Sequence, residues 1–176
     1  LAAIEESTDL GARDAFEPKA WKHVRVGDVV RVRARESFPA DLLLLRGSDP
    51  SAPGQCWVNT KPLDGETDTK LRLAPKLLAT LLKDEPSCEP AKLRQLLRGT
   101  VRCEEPNDKV NDITAQLCLD GEAPVLLSQD NFLLRGCQLR NTDYVLGLVI
   151  AAGVHTKINF TPASLLAGQP QTVGQK

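Results

Sequence analysis

Short apolar segments with strand-like spacing dominate two stretches of the chain, one before and one after its middle. Val30 and Val32 alternate with Arg31 and Arg33, which is typical of a strand with one face toward solvent. Residues 42–45 are instead four consecutive leucines, a pattern that indicates a strand covered on both faces. We predict further strands around residue 101 and at 56–58, 113–119, 125–127, 132–139 and 144–152.

Leucine spacing changes to a helical interval in the middle of the chain. The leucines of segments 77–82 and 93–97 recur every three or four residues, as on one face of a helix. The proline-rich segment 86–90 separates these two groups. We therefore predict helix between about residues 75 and 98, inserted into a mainly β architecture.

A turn signal at Gly27 and Asp28 precedes the first predicted strand. A two-residue hairpin at this point would place Val30 opposite Arg25 and mix apolar with polar side chains on one face. The pattern therefore favours either a bulge or strands that do not pair with each other.

Composition and charge narrow the class of protein. The chain has 176 residues, with 22 Lys and Arg against 23 Asp and Glu, and a net charge of −1. This length fits one buried domain, which we place at residues 1–160, followed by a linker at 161–176 that is rich in Gly, Pro, Ser and Gln. A net charge near zero provides no overall electrostatic field that would attract nucleic acid. No apolar run approaches the ~20 residues of a membrane-spanning helix.

Five widely spaced cysteines and two histidines show no metal-binding pattern. No pair of cysteines has the C-x-x-C spacing of a zinc site. An odd number of widely spaced cysteines indicates reduced thiols, as in a cytosolic setting. We expect no metal or cofactor site in this chain, and we expect His23 and His155 to be ordinary surface or core residues. Arg135, Arg140 and Lys157 are expected to be solvated charges.

The candidate chemistry lies in residues 64–67, which read Asp-Gly-Glu-Thr. Alone, these four residues predict only a turn, because Asp-Gly is a common turn pair. The flanking segments are more specific, with V-G-D-V-V at 26–30, P-A-D at 39–41 and L-L-R-G-C-Q-L-R-N-T at 133–142. In this order, over about residues 19–158, they resemble the actuator domain of P4-type ATPases, the lipid flippases.

The resemblance implies a distorted β-sandwich of jelly-roll type that contains the helical insertion. It also implies that the domain drives dephosphorylation of an aspartyl-phosphate intermediate and couples this step to phospholipid translocation from the exoplasmic to the cytoplasmic leaflet. The catalytic position falls on Glu66, whose carboxylate can orient a water molecule and accept its proton. Gly65 would allow the backbone to approach the phosphate, while Asp64 and Thr67 would hold the loop through hydrogen bonds. We expect residues 64–67 to lie on a solvent-exposed loop at one edge of the sandwich.

The resemblance further implies a longer parent protein, a phospholipid-transporting ATPase. The domain isolated from this protein would be inactive. Mg²⁺ and ATP would be bound by its phosphorylation and nucleotide-binding domains, which are the expected partners of this domain. The phospholipid substrate would contact the membrane domain, whose helices would flank residues 1 and 176, and an accessory β-subunit is a further expected partner. The domain would lie on the cytoplasmic face of the plasma membrane or of Golgi and endosomal membranes, without contact to nucleic acid.

Departures from the family pattern leave alternatives open. Residues 67–70 read T-D-T-K where the family commonly has T-N-L-K, and residues 113–115 read I-T-A where it usually has an F-x-G triplet. The principal alternative is a regulatory or scaffold module of a fused multidomain protein without transport activity. An ion-translocating P-type pump and an unrelated β-sandwich interaction domain are the two remaining hypotheses.

Overall fold

The computed structural model of the chain describes residues 2–3, 16–83, 90–104 and 113–159. The predicted linker at 161–176, most of the proline-rich segment 86–90 and Cys88 lie outside the described residues.

The described residues form eleven β-strands and three α-helices, so strands outnumber helices as predicted. The strands are β1 (Ala2–Ala3), β2 (Val29–Arg33), β3 (Asp41–Gly47), β4 (Gln55–Asn59), β5 (Thr69–Leu73), β6 (Gly99–Cys103), β7 (Ala115–Leu119), β8 (Val125–Leu127), β9 (Phe132–Leu133), β10 (Gln138–Arg140) and β11 (Tyr144–Ala151). The helices are α1 (Lys61–Asp64), α2 (Lys76–Leu81) and α3 (Pro90–Leu96).

Three antiparallel sheets make up the fold. Their strand orders are β2-β11-β3-β9, β10-β4-β5 and β1-β6-β7-β8. Strand β3 lies inside the first sheet, where β11 and β9 pair with its two edges. All seven residues of β3 are buried, which confirms the prediction that the run 42–45 is covered on both faces. The buried apolar side chains form one contiguous core, an arrangement that agrees with the predicted mainly β sandwich.

Strand β2 pairs with β11 and not with the residues that precede it. The Gly27 N–H donates to the Val149 carbonyl at 2.9 Å, and the Val149 N–H donates to the Asp28 carbonyl at 2.8 Å. The turn at Gly27 and Asp28 therefore joins segments that do not pair with each other, one of the two predicted alternatives. Along β2, Val32 is buried while Arg31 and Arg33 are exposed, as the alternation predicted.

Helices α2 and α3 both lie within the predicted range of 75–98. Leu78 of α2 and Leu93 of α3 are buried, and α2 packs against β3. There the guanidinium of Arg46 donates to the carbonyl of Leu82. Helix α1 was not predicted, because a single turn is too short to show helical spacing.

The predicted continuous strand at 132–139 is wrong. The chain forms β9, then a turn, then β10, and the Cys137 N–H closes the turn by donating to the Leu134 carbonyl at 3.1 Å. Gly136 in this turn has a φ of 85°, a left-handed conformation that glycine adopts without steric cost. Because of the turn, β9 pairs with β3 while β10 pairs with β4 in a different sheet.

The prediction that Lys157 is a solvated charge is also wrong, because the residue is buried. Its backbone N–H donates to Asp41 Oδ2 at 2.7 Å, and its ammonium group lies 3.7 Å from Glu104 Oε1. Asp41 Oδ1 accepts the backbone N–H of Arg135 at 2.8 Å. Burial raises the pKa of Asp41, although these hydrogen bonds and the nearby cations oppose the rise. The Asp41 carboxylate thus ties the residues after β11 to the start of β3.

The four described cysteines, Cys56, Cys103, Cys118 and Cys137, carry free thiols. Burial raises the pKa of both Cys56 and Cys137 to about 12, so these thiols stay protonated at neutral pH. In the part of the chain that the structure describes, no helix combines the length and the apolar character needed to cross a bilayer.

Replacing Leu44, which is 0% exposed in β3, tests the packing of this core. Leu44→Ala should lower the free energy of unfolding by about 2–5 kcal/mol, because it removes buried methyl groups and leaves a cavity. Urea denaturation of the chain measures the change. The matched control is Leu126→Ala, at a leucine that is 78% exposed, where a change within about 0.5 kcal/mol is expected. Equal losses in the two variants would contradict this account of the core.

Candidate functional site

The Asp-Gly-Glu-Thr sequence lies in a connection between two paired strands. Strands β4 and β5 are antiparallel, and the pair Asn59 and Thr69 closes the connection at its base. On the other side of β4 lies β10, where Gln138 pairs with Asn59. The structure therefore brings the segment 133–142 next to the segment 64–67, although about seventy residues separate them along the chain.

Helix α1 begins the connection and sets its direction. The Asn59 side-chain oxygen accepts the Lys61 N–H at 2.9 Å, and Pro62 occupies an early helical position, where its fixed φ favours a helix start. Leu63 is buried and anchors the turn to the core. The helix ends at Gly65, whose φ of 76° lies in the left-handed region and whose N–H donates to the Lys61 carbonyl at 3.0 Å.

The Asp64 carboxylate joins the three parts of this connection. Its Oδ1 accepts the Glu66 backbone N–H at 3.0 Å, which holds the turn after the helix. Its Oδ2 accepts the Thr60 hydroxyl at 2.8 Å and the Lys70 ammonium at 2.7 Å. Burial alone would raise the pKa of Asp64, but the hydrogen bonds from Lys70, Glu66 and Thr60 outweigh it and lower that pKa below its usual value.

Glu66 projects from the turn with its side chain 60% exposed. Its Oε2 lies 2.8 Å from the Lys70 ammonium group, which also contacts Asp64. The hydrogen bonds to Asp64 and then to Glu66 raise the pKa of Lys70. One cation is therefore shared by two carboxylates, one half-buried and one reaching toward solvent.

The loop occupies the exposed position that the sequence analysis expected, with Gly65, Glu66 and Thr67 all exposed. Asp64 differs, since it is the half-buried last residue of α1. Its expected hydrogen bond to the loop backbone is present, whereas Thr67 makes no side-chain hydrogen bond with any described residue. The structure places this holding role on Thr60 and Lys70, which sequence reasoning did not single out.

This geometry places the exposed Glu66 carboxylate on a fixed support. The Glu66 carboxylate can accept a proton from a water molecule and orient that molecule, provided an electrophile is brought to the loop. In the described ranges, no group of three or more His, Cys, Asp or Glu side chains is arranged to hold a metal ion.

Comparison with curated proteins shows similarity to phospholipid-transporting ATPases. The chain is 41% identical over 143 residues to phospholipid-transporting ATPase IC of Xenopus tropicalis, and 39% identical over 142 residues to phospholipid-transporting ATPase 1 of Arabidopsis thaliana. It is 44% identical over 146 residues to a phospholipid-transporting ATPase of Schizosaccharomyces pombe. Each alignment covers 81% of this chain but 11% of the relative, so the chain spans about a tenth of the length of these proteins. No protein-family model matches the chain.

The conformation of Gly65 generates a prediction about stability. A Cβ at this position would meet no atom within 4 Å, so Gly65→Ala adds only backbone strain at φ 76°. We expect a loss of about 1–2 kcal/mol in the free energy of unfolding, measured by urea denaturation. Gly65→Asn is the matched variant, because asparagine tolerates the left-handed region, and its loss should be smaller. Equal losses in both variants would contradict the assignment to φ strain.

The hydrogen bonds of Asp64 predict an effect of pH. Because its folded-state pKa is lowered, the ionised carboxylate contributes stability above the unfolded pKa of about 4, and this contribution is lost as the pH falls through the folded value. Urea denaturation between pH 6 and pH 2 should therefore show a steeper acid loss in the wild type than in Asp64→Asn. Asp120→Asn, at an exposed turn, serves as the control and should keep the wild-type slope. Identical acid slopes for the wild type and Asp64→Asn would refute the prediction.

Proposed function

Since this chain is homologous to a segment of the phospholipid-transporting P4-type ATPases, we propose that it is the actuator domain of such a pump. In this role Glu66 promotes hydrolysis of the aspartyl-phosphate that the pump forms on another domain. The observation that carries the proposal is the exposed Glu66 carboxylate, set on a turn that Asp64 and Lys70 hold.

Hydrolysis of an aspartyl-phosphate needs one general base that activates water. Water attacks the phosphorus atom, the bond from phosphorus to the aspartate oxygen breaks, and the aspartate leaves as a carboxylate. Glu66 orients the water and accepts its proton, while inorganic phosphate is released. General base catalysis of this type typically contributes ~10²–10⁴-fold, which corresponds to about 3–5 kcal/mol of the activation barrier.

The rest of the pump supplies what the described residues do not. The phosphorylation and nucleotide-binding domains hold the aspartate, ATP and Mg²⁺, and the membrane domain holds the phospholipid. An accessory β-subunit completes the flippase. Dephosphorylation on the cytoplasmic side is coupled to movement of the lipid from the exoplasmic to the cytoplasmic leaflet. The proposal thus assigns this chain one step of the cycle and a position on the cytoplasmic face of the membrane.

The sequence departures do not disturb the site in the structure. In the T-D-T-K segment, Asp68 and Thr69 depart from the family pattern and are exposed, whereas Lys70 matches it and contacts both carboxylates of the loop. Ile113 and Ala115 of the I-T-A variant are buried where β7 begins. Neither departure therefore disturbs the loop or the core, and neither favours the regulatory module over the pump.

The substitution Glu66→Gln in the full-length pump tests the proposal. It keeps the size of the side chain but removes the group that accepts the proton. Phosphoenzyme formation should persist, because it depends on other domains, while hydrolysis slows by ~10²-fold or more. Phosphoenzyme should accumulate and lipid transport should fall in parallel. The measurement is the decay of radiolabelled phosphoenzyme after a chase with unlabelled ATP.

The matched control is Glu122→Gln, at an exposed glutamate in the turn between β7 and β8, and its decay should equal that of the wild type. Unchanged decay and transport in Glu66→Gln would remove Glu66 from the mechanism. A wild-type protein that forms no phosphoenzyme at all would support the regulatory or scaffold module instead.

A further inference from the structure

We propose that Lys70 is a positioning residue of this site, whose ammonium group fixes the Glu66 carboxylate relative to Asp64. The inference rests on the proposed function and deepens it, because it names the group that sets the direction of the general base. The residue itself need not touch the phosphorylated aspartate.

The position of Lys70 follows from its strand. It is the second residue of β5, and it pairs with Val58 of β4, so its backbone is held in a ladder at the base of the loop. From there its Nζ reaches Asp64 Oδ2 at 2.7 Å and Glu66 Oε2 at 2.8 Å. A lysine ammonium has three hydrogens to donate, so both contacts form at once.

The second contact matters because no other side chain in the described part of the chain restrains the Glu66 carboxylate. Among the described residues, Lys70 is the partner of the Glu66 carboxylate. The backbone N–H of Glu66 donates separately to Asp64. A largely exposed glutamate without such a partner samples several rotamers. The shared cation restricts these rotamers, and a general base acts efficiently only from a defined geometry.

The same cation reduces the negative charge of the loop. Asp64 and Glu66 together carry two negative charges, and Lys70 lowers their sum to one. The phosphoryl group that approaches the loop is itself anionic, and like charges at short distance repel. Lys70 therefore weakens the repulsion that the carboxylate would meet, while it leaves that carboxylate able to accept a proton.

This role differs from that of a stabilising salt bridge. Lys70 is 34% exposed at its side chain and Glu66 is 60% exposed, and ion pairs in such surroundings contribute little to folding. Loss of the Lys70–Glu66 contact should therefore change hydrolysis far more than it changes the thermal midpoint.

The first experiment tests the contact in the 176-residue chain by ¹⁵N NMR of the lysine ammonium groups. The Lys70 signal, assigned as the one missing in Lys70→Met, should shift in Glu66→Gln and stay unchanged in Glu122→Gln. A Lys70 signal that is the same in the wild type and in Glu66→Gln would overturn the contact, and with it the proposal.

The second experiment measures phosphoenzyme decay in the full-length pump. In Lys70→Met the decay should slow by roughly 10- to 100-fold, since displacement of a catalytic group by about 1 Å can cost ~10²-fold. Lys70→Arg keeps a cation that can contact both carboxylates and should recover part of the lost rate. Lys76→Met, at an exposed lysine of α2, is the matched control and should decay at the wild-type rate.

The outcomes separate this inference from the proposed function. Slow decay in Glu66→Gln together with wild-type decay in Lys70→Met would reject the positioning role and leave the function of Glu66 in place. An arginine variant as slow as the methionine variant would also reject it, because a positive charge at position 70 would then not be sufficient to restore the rate. Wild-type decay in both Glu66→Gln and Lys70→Met would reject the proposed function and this inference with it.

Discussion

The loop at residues 64–67 depends on one carboxylate that accepts three hydrogen bonds. Asp64 contacts Thr60 at the start of α1, the backbone of Glu66 just beyond its end, and Lys70 in β5. Each donor belongs to a different part of the connection, so the carboxylate defines how the helical turn, the exposed turn and the strand meet. An ionised acceptor makes stronger hydrogen bonds than a neutral one, which suits a junction with little apolar packing.

The scaffold gives this junction a fixed base. The loop starts and ends at the paired residues Asn59 and Thr69, and β10 pairs with the outer edge of β4. Beyond this sheet lies β3, buried along its whole length and held at its start by Asp41. A loop on such a sheet moves with the domain as a unit, so the whole domain can present Glu66 to the aspartyl-phosphate of another domain, as the proposed function requires.

Local patterns predicted the parts of the structure that local interactions decide. The four leucines at 42–45 indicated a strand covered on both faces, and helical leucine spacing indicated α2 and α3. The errors arise where distant residues meet. Lys157 is buried because its backbone bonds Asp41, 116 residues earlier, and nothing near Lys157 in the sequence indicates this. The exposed position of Glu66 was predicted, but the contact with Lys70 was not. That contact depends on α1, which is too short to recognise by its spacing.

The apolar core of the fold is separate from the polar contacts that hold the loop. Leu63 is the one apolar side chain of α1 that is buried in the core, and the remaining restraints on the loop are hydrogen bonds and ion pairs. In the proposed function, an anionic phosphoryl group that approaches Glu66 therefore acts on charges and polar contacts, and it does not need to disturb the buried leucines. The same separation explains how the residues after Glu66 can depart from the family pattern. Asp68 and Thr69 are exposed, whereas Lys70 keeps the position from which both carboxylates are reached.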